Sequence, residues 1–253
     1  ANGVHDLKRL SKAEVLALEP ELSCTSALLS PSTGIIDTHA LMLALVGDAE
    51  AHGALIAYRT PVLYGEETGD GTKLQLGGQE PFQLTARHVI IAAGLATPRI
   101  AKALKLNHIP EGHLCKGSYF ALNGRAPFSR LVYPVPVPGG LGVHYTLDLG
   151  GMGRFGPDVE WIDEENYHVD PSRRDDFANA VQRYWPACTA QRLVPAYSGI
   201  RPKICAKGEK DQDFLIMGPD AHGRAGVIAL LGIESPGLTS ALALAEVVTQ
   251  ASK

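Results

Sequence analysis

Apolar residues fall in short blocks along this chain, broken by glycine, proline and acidic residues. Val227 to Leu231 and Val89 to Ala92 are continuous apolar runs of the length of a buried strand. Each ends at a glycine, Gly232 or Gly94, and then meets a proline, Pro236 or Pro98, suited to the first turn of a helix. Small and apolar residues repeat from Ser240 onward, as in a buried helix. The stretch "GIESPGLTSALALAEVV" therefore reads as an ordinary strand-to-helix turn or, equally, as a helix start whose unpaired N–H groups attract an anionic or electron-rich ligand.

Other blocks carry their own punctuation. In "SKAEVLALEP", Ser11 followed by Glu14 forms a capping box and Pro20 ends a short helix. Asp37 caps a helix over residues 38–51, Gly53 terminates it, and a strand is expected across residues 54–58. "PVLYGEE", "TKLQLGG" and "PFQLT" are short strands of a small β excursion. The middle of the chain is richer in strands: "CKGSYFAL", "RLVYPVPVP" and "LGVHYTLDLGG", with Pro134 and Pro136 placing the second at an edge or bend. In the third, Leu141, Val143, Tyr145 and Leu147 share one face, while Gly142, His144, Thr146 and Asp148 share the other. A helix capped by Asp170 with Pro171 at its first position ends by Pro186, and "LVPAYSGIRPKI" and "DFLIMG" are further strands.

Composition narrows the class. With 253 residues and 45% apolar content, the chain can bury the core of one large or two modest domains. A net charge of −4 with scattered basic residues argues against a nucleic-acid partner. Cys24, Cys115, Cys188 and Cys205 form no CxxC pair, so they are expected to be buried thiols of a reducing compartment, with no metal site. No run is long enough for a membrane span. The chain opens at Ala1 rather than Met, as a trimmed or truncated product does.

Taken in order, "STGIID", "ARHVIIAAGLATPRIAKAL", "KGSYF", "VYPVPVPGGLGVHYT", "GRFGP", "YSGIRPKI" and "GIESPGLTS" resemble the D-amino-acid oxidase (DAO) branch of FAD-dependent oxidoreductases, and within it the L-2-hydroxyglutarate dehydrogenase/oxidase group. The resemblance implies an α/β (α+β) fold of the glutathione-reductase type, with a β-rich antiparallel substrate domain. It also exposes a departure: no GxGxxG turn opening a helix is present, so the family's first βαβ unit, which holds the dinucleotide, is missing from this chain. The FAD-binding domain is expected over residues 34–58, 86–106 and 201–253, the substrate domain over 1–33 and 107–200, and the β excursion over 59–85.

By the same resemblance, the cofactor is FAD, contacted by Gly94, Arg201, Gly232, Ile233, Glu234, Ser235, Pro236, Gly237, Leu238 and Thr239. Ser235 and Thr239 either donate to the flavin or cap the helix. A carboxylate at Glu234 beside an electron-rich ring is repulsive, so a basic partner is expected for it. The reaction implied is oxidation of a 2-hydroxy acid, with Arg201 binding the substrate carboxylate through its planar fork. Lys203 or Lys116 would serve a second carboxylate. His144 is the candidate base for the hydroxyl proton and His39 the second candidate, while Tyr119 and Tyr133 either line the cavity or pack the core. An amine or amino acid of the glycine or sarcosine type is the alternative substrate, and a non-catalytic fragment needing a separate nucleotide-binding unit is the third reading. A cytoplasmic location is expected, and a weak association with a membrane surface or electron acceptor is left open.

Overall fold

The structure is a computed structural model that describes residues 3–136 and 142–252. It opens with strand β1 (Lys8–Ser11), helix α1 (Lys12–Leu18), β2 (Ser26–Leu29) and α2 (Thr38–Ala51). Then come β3 (Val62–Thr68), β4 (Gly71–Leu76), β5 (Phe82–Ala86), β6 (Val89–Ile91) and α3 (Thr97–Ala103). The middle holds β7 (His113–Leu122), β8 (His144–Leu147), β9 (Gly153–Gly156), β10 (Glu160–Ile162) and α4 (Arg174–Gln182). The last stretch holds β11 (Leu193–Lys203), β12 (Leu215–Met217), α5 (Pro219–His222), β13 (Val227–Leu231) and α6 (Ala241–Ala251). This is a mixed α/β architecture whose sheets are largely antiparallel.

Two compact units result: Ala1–Ala54 with Lys116–Glu160 and Tyr167–Gly199, and Leu55–Cys115 with Trp161–Asn166 and Ile200–Lys253. Strands β7, β10 and β11 run across the division. In the first unit β1 pairs β2, and the larger sheet has the order β10-β7-β9-β8 with β11 also on β7. Its core is aromatic. Phe155 on β9 is fully buried, with its ring stacked on Trp185 and tilted against Tyr145, and Phe120 on β7 meets Phe177 of α4. In the second unit β13 pairs β6 in parallel and β12 antiparallel, while β3, β4 and β5 form an antiparallel meander. There Leu104, Val227, Ala229 and Leu231 close an aliphatic core.

Local chemistry accounts for most element boundaries. Ser11 and Glu14 form the expected reciprocal capping box at α1, and Asp37 accepts from the Ala40 N–H at 3.0 Å to start α2. The meander and α3 form where the pattern places them, and Asp170 caps the short 3₁₀ turn that leads into α4. None of the four cysteines is bridged, and three are buried.

Four expectations need correction. Residues 54–58 form no strand, and Leu55 stands 96% exposed. No neighbouring strand pairs with them among the described residues, and an unpaired strand leaves its backbone groups to water. Among the described residues, "RLVYPVPVP" contributes only a bridge between Val132 and Tyr145, because Pro134 and Pro136 have no N–H to donate. Helix α6 starts at Ala241, so Pro236 lies in the turn before it rather than in its first turn. His144, expected on a polar face, is itself buried. Leu141, expected on the core face of β8, lies outside the described residues.

Replacing Phe155 by alanine removes a ring enclosed by Tyr145 and Trp185. The expected loss is about 3–5 kcal/mol of unfolding free energy, read from urea denaturation, and a loss below about 1 kcal/mol contradicts this account of the core.

Candidate functional site

In the second unit, a cavity of about 380 Å³ brings together Gly94, Lys203 and Gly232 from three separate elements. The same wall carries Arg99 and Lys102 from α3 and His113 from β7, against one carboxylate, Glu111. The cavity is therefore cationic. Gly94 has φ +54° and Gly232 φ +67°, the left-handed region where a side chain is strained. At Gly237 a Cβ would come within 2.6 Å of the Glu234 carbonyl oxygen, so the turn closes only around glycine.

Lys203 holds that turn. Its ammonium lies 2.7 Å from Glu234 and 2.7 Å from Asp211, and its side chain is only 13% exposed. Partial burial alone would lower its pKa, but the hydrogen bonds and charges of Asp211 and Glu234 outweigh that and raise it. The hydrogen bond from Lys203 and its charge hold the Asp211 carboxyl below its ordinary range. Glu234 thus has the basic partner its position demands. Ser235, Pro236, Leu238 and Thr239 are exposed, and Ile233 is half-buried. Neither Ser235 nor Thr239 is the N-cap of α6; that residue is Ser240, whose hydroxyl donates to the Pro236 carbonyl at 3.1 Å. Arg201, on β11, is half-buried, with Nη1 3.6 Å from the Cys115 sulfur.

The first unit holds the remaining candidates. His144 is 6% exposed and stacks on Tyr133, with centroids 4.2 Å apart and planes at 18°. Tyr119 stacks on Tyr197 at 4.6 Å. A cavity of about 690 Å³ is lined by His39, Tyr133, Thr146, Asp148, Arg154 and Tyr197, among others. His39, exposed in the first turn of α2, and Tyr133 thus share one hollow. Lys116 does not line it. That lysine is 4% exposed, its ammonium 3.1 Å from Glu160 and donating to the His168 carbonyl at 3.1 Å, so its charge is engaged inside the unit.

Arg154, Tyr197, Arg99, Lys102 and Asp211 join these candidates only in the folded chain. Arg154 had a signal available: it is the one charged residue of "GRFGP", and pairing sets it opposite Thr146. The others become visible only when distant segments meet. Among the described residues, no group of three or more His, Cys, Asp or Glu is placed to hold a metal ion, and no helix is long and apolar enough to cross a membrane.

Comparison with known proteins bears on this geometry. The model of the FAD dependent oxidoreductase family DAO matches residues 1–251. The mitochondrial L-2-hydroxyglutarate dehydrogenase of Arabidopsis thaliana is 38% identical over 288 residues, covering 97% of this chain and 60% of that protein. The glycerol 3-phosphate dehydrogenase of Caloramator mitchellensis is 28% identical, covering 96% and 49%. Among solved structures, dithionite-reduced L-alpha-glycerophosphate oxidase from Mycoplasma pneumoniae with FAD bound superposes with a TM-score of 0.83 at 23% identity, covering 98% of this chain and 64% of that one. Glycine oxidase from Geobacillus kaustophilus gives 0.74 at 20%, covering 98% and 64%. The chain spans less than two thirds of the length of each of these proteins. Because the family model runs almost from end to end, the chain belongs to the DAO family of FAD-dependent oxidoreductases.

Proposed function

We propose that this chain is the greater part of an FAD-dependent oxidoreductase that converts a 2-hydroxy acid of the L-2-hydroxyglutarate type to its 2-oxo acid. The observation that carries this reading is the 38% identity to an L-2-hydroxyglutarate dehydrogenase over 97% of the chain. The cavity of the second unit supports it. Two left-handed glycines leave their stretch of the wall without a side chain, and Arg99 and Lys102 supply positive charge toward an electron-rich ring or a phosphate. At about 380 Å³ the hollow suits a ring system rather than a whole dinucleotide. Gly94, Gly232 and the turn through Thr239 would hold that ring. Bound FAD supplies a two-electron acceptor for the hydride leaving the substrate carbon.

The protein groups have separate tasks. Arg201 orients the substrate carboxylate, because a guanidinium offers two parallel N–H donors to two oxygens. An imidazole nitrogen of His144 takes the hydroxyl proton, and the Tyr133 ring stacked against it fixes the plane of the imidazole. Lys203 neutralises Glu234 and keeps the turn in place. Since Arg201 would serve any carboxylate, amino acids of the glycine type are the second reading; a guanidinium also pairs with phosphate, so glycerol 3-phosphate is included among the substrates tested.

Two experiments test this. The purified chain is mixed with FAD, its visible spectrum recorded, and reduction followed anaerobically with L-2-hydroxyglutarate, glycine, sarcosine and glycerol 3-phosphate. Flavin uptake with bleaching by the hydroxy acid is expected; a colourless protein, or bleaching by an amine alone, overturns the assignment. In an active preparation, Arg201→Lys should lower kcat/KM by about ten- to a hundred-fold. His144→Asn should lower kcat by about 10²- to 10⁴-fold.

Lys203→Met gives an independent check on the turn. Glu234 then keeps a partly buried charge without its cation, and about 1–3 kcal/mol of stability is expected to go at neutral pH. The lowered Asp211 pKa means its contribution is present above the unfolded value and lost as pH falls through the folded one. The raised Lys203 pKa means the opposite: its contribution is present below the unfolded value and lost as pH climbs through the folded one. Wild type and Lys203→Met should therefore converge in thermal stability only as pH falls well below the ordinary aspartate value of about 3.9, and again only as it climbs well above the ordinary lysine value of about 10.4. Parallel curves across both windows would contradict the pairing.

A further inference from the structure

We propose that Arg154 is a specificity-determining residue that binds a second carboxylate, making the cavity of the first unit the recognition site for one acid end of a dicarboxylate. The idea rests on the 2-hydroxy-acid reading only for the class of ligand. Strand alternation sets it up: Phe155 points into the core, so Arg154 points to the other face, where register places Thr146 opposite it. Both residues line the hollow of about 690 Å³, ample for a five-carbon acid.

The guanidinium is held in place before any ligand arrives. Its Nη2 donates to Asp148 at 2.8 Å, and its centre lies 5.8 Å from the centroid of the Tyr197 ring. Asp148 uses one of the five N–H donors of the fork. That carboxylate also accepts from the Gly150 N–H at 2.9 Å and the Met152 N–H at 3.0 Å, so the loop itself balances much of its charge. Asp37, the other carboxylate on the wall, accepts from the Ala40 N–H as the cap of α2. Arg154 thus supplies the guanidinium of a cavity whose acids are matched to backbone donors, with the His39 imidazole on the same wall. The two lysines that would otherwise serve a second carboxylate are engaged, Lys116 by Glu160 and Lys203 by Glu234 and Asp211.

The test compares glutarate with pentanoate, equal in carbon number and differing by one carboxylate, by calorimetric titration of the FAD-treated full chain. Wild type should prefer glutarate by about ten- to a hundred-fold, the range of one charge-assisted hydrogen-bonded contact. Arg154→Met should bring the two affinities within about twofold while pentanoate binding holds, and Arg154→Lys should fall between. If Arg154→Met does not fold, Thr146→Asp sets a carboxylate beside an intact Arg154 and should erase the preference in the same way. Equal binding by wild type, or a preference that survives Arg154→Met or Thr146→Asp, overturns the proposal. The two readings fail separately. Glutarate preference without turnover of 2-hydroxyglutarate counts against the proposed reaction alone, and turnover with an unchanged preference in Arg154→Met counts against Arg154 alone.

Discussion

The ammonium of Lys203, shared between Glu234 and Asp211, is the constraint on which the candidate cofactor wall depends. The turn it holds has little else to anchor it. Four of the eight residues from Gly232 to Thr239 are exposed, and α6, the helix that follows, has Val248 as its one buried residue. A turn with so few apolar contacts would sample many conformations if only backbone bonds restrained it. One partly buried cation shared by two carboxylates restrains it, and it also offsets the negative charge that Glu234 brings to the candidate cofactor wall.

In the first unit aromatic stacking takes the corresponding part. The Tyr133 ring covers His144, and the Tyr119 ring covers Tyr197, which in turn lies beside the Arg154 guanidinium. His144 is therefore backed by a ring, and Arg154 by a ring together with the Asp148 carboxylate. Flat rings restrict rotation of an imidazole or guanidinium while leaving its N–H groups in their own plane, available to a ligand. The aromatic core beneath, from Phe120 and Phe155 to Trp185, keeps β8 and β9 from shifting register under that wall.

Much of the fold was legible because its signals are local. Gly232 and Gly94 end their strands, Asp37 and Ser11 cap their helices, and the β3-β4-β5 meander shows in its spacing. The misses share one physical origin. Residues 54–58 have strand composition, but a strand needs a neighbour, and pairing is a property of the whole fold. The apolar pattern of "RLVYPVPVP" is outweighed by its prolines, which cannot donate. The site divides along similar lines. Arg201, His144, Gly94 and Gly232 stand in recognisable motifs, whereas the partner of Glu234 lies 31 positions upstream at Lys203 and could be required by charge but not identified. Lys116 illustrates the reverse: a basic residue in a matching motif, turned inward to an acid that no local pattern announces.

Helix α2 carries a last consequence. It has a sound N-cap and fourteen residues, yet none of them is buried, and Leu43 stands 71% exposed. An isolated helix of that length is marginal in water, since its hydrogen bonds barely offset the entropy of ordering the chain. Its amide protons should therefore trade with deuterated solvent long before those of β13, where Val227, Ile228 and Ala229 are buried. Two stretches that both carry many aliphatic residues would then sit at opposite ends of one protein's range of local unfolding energies.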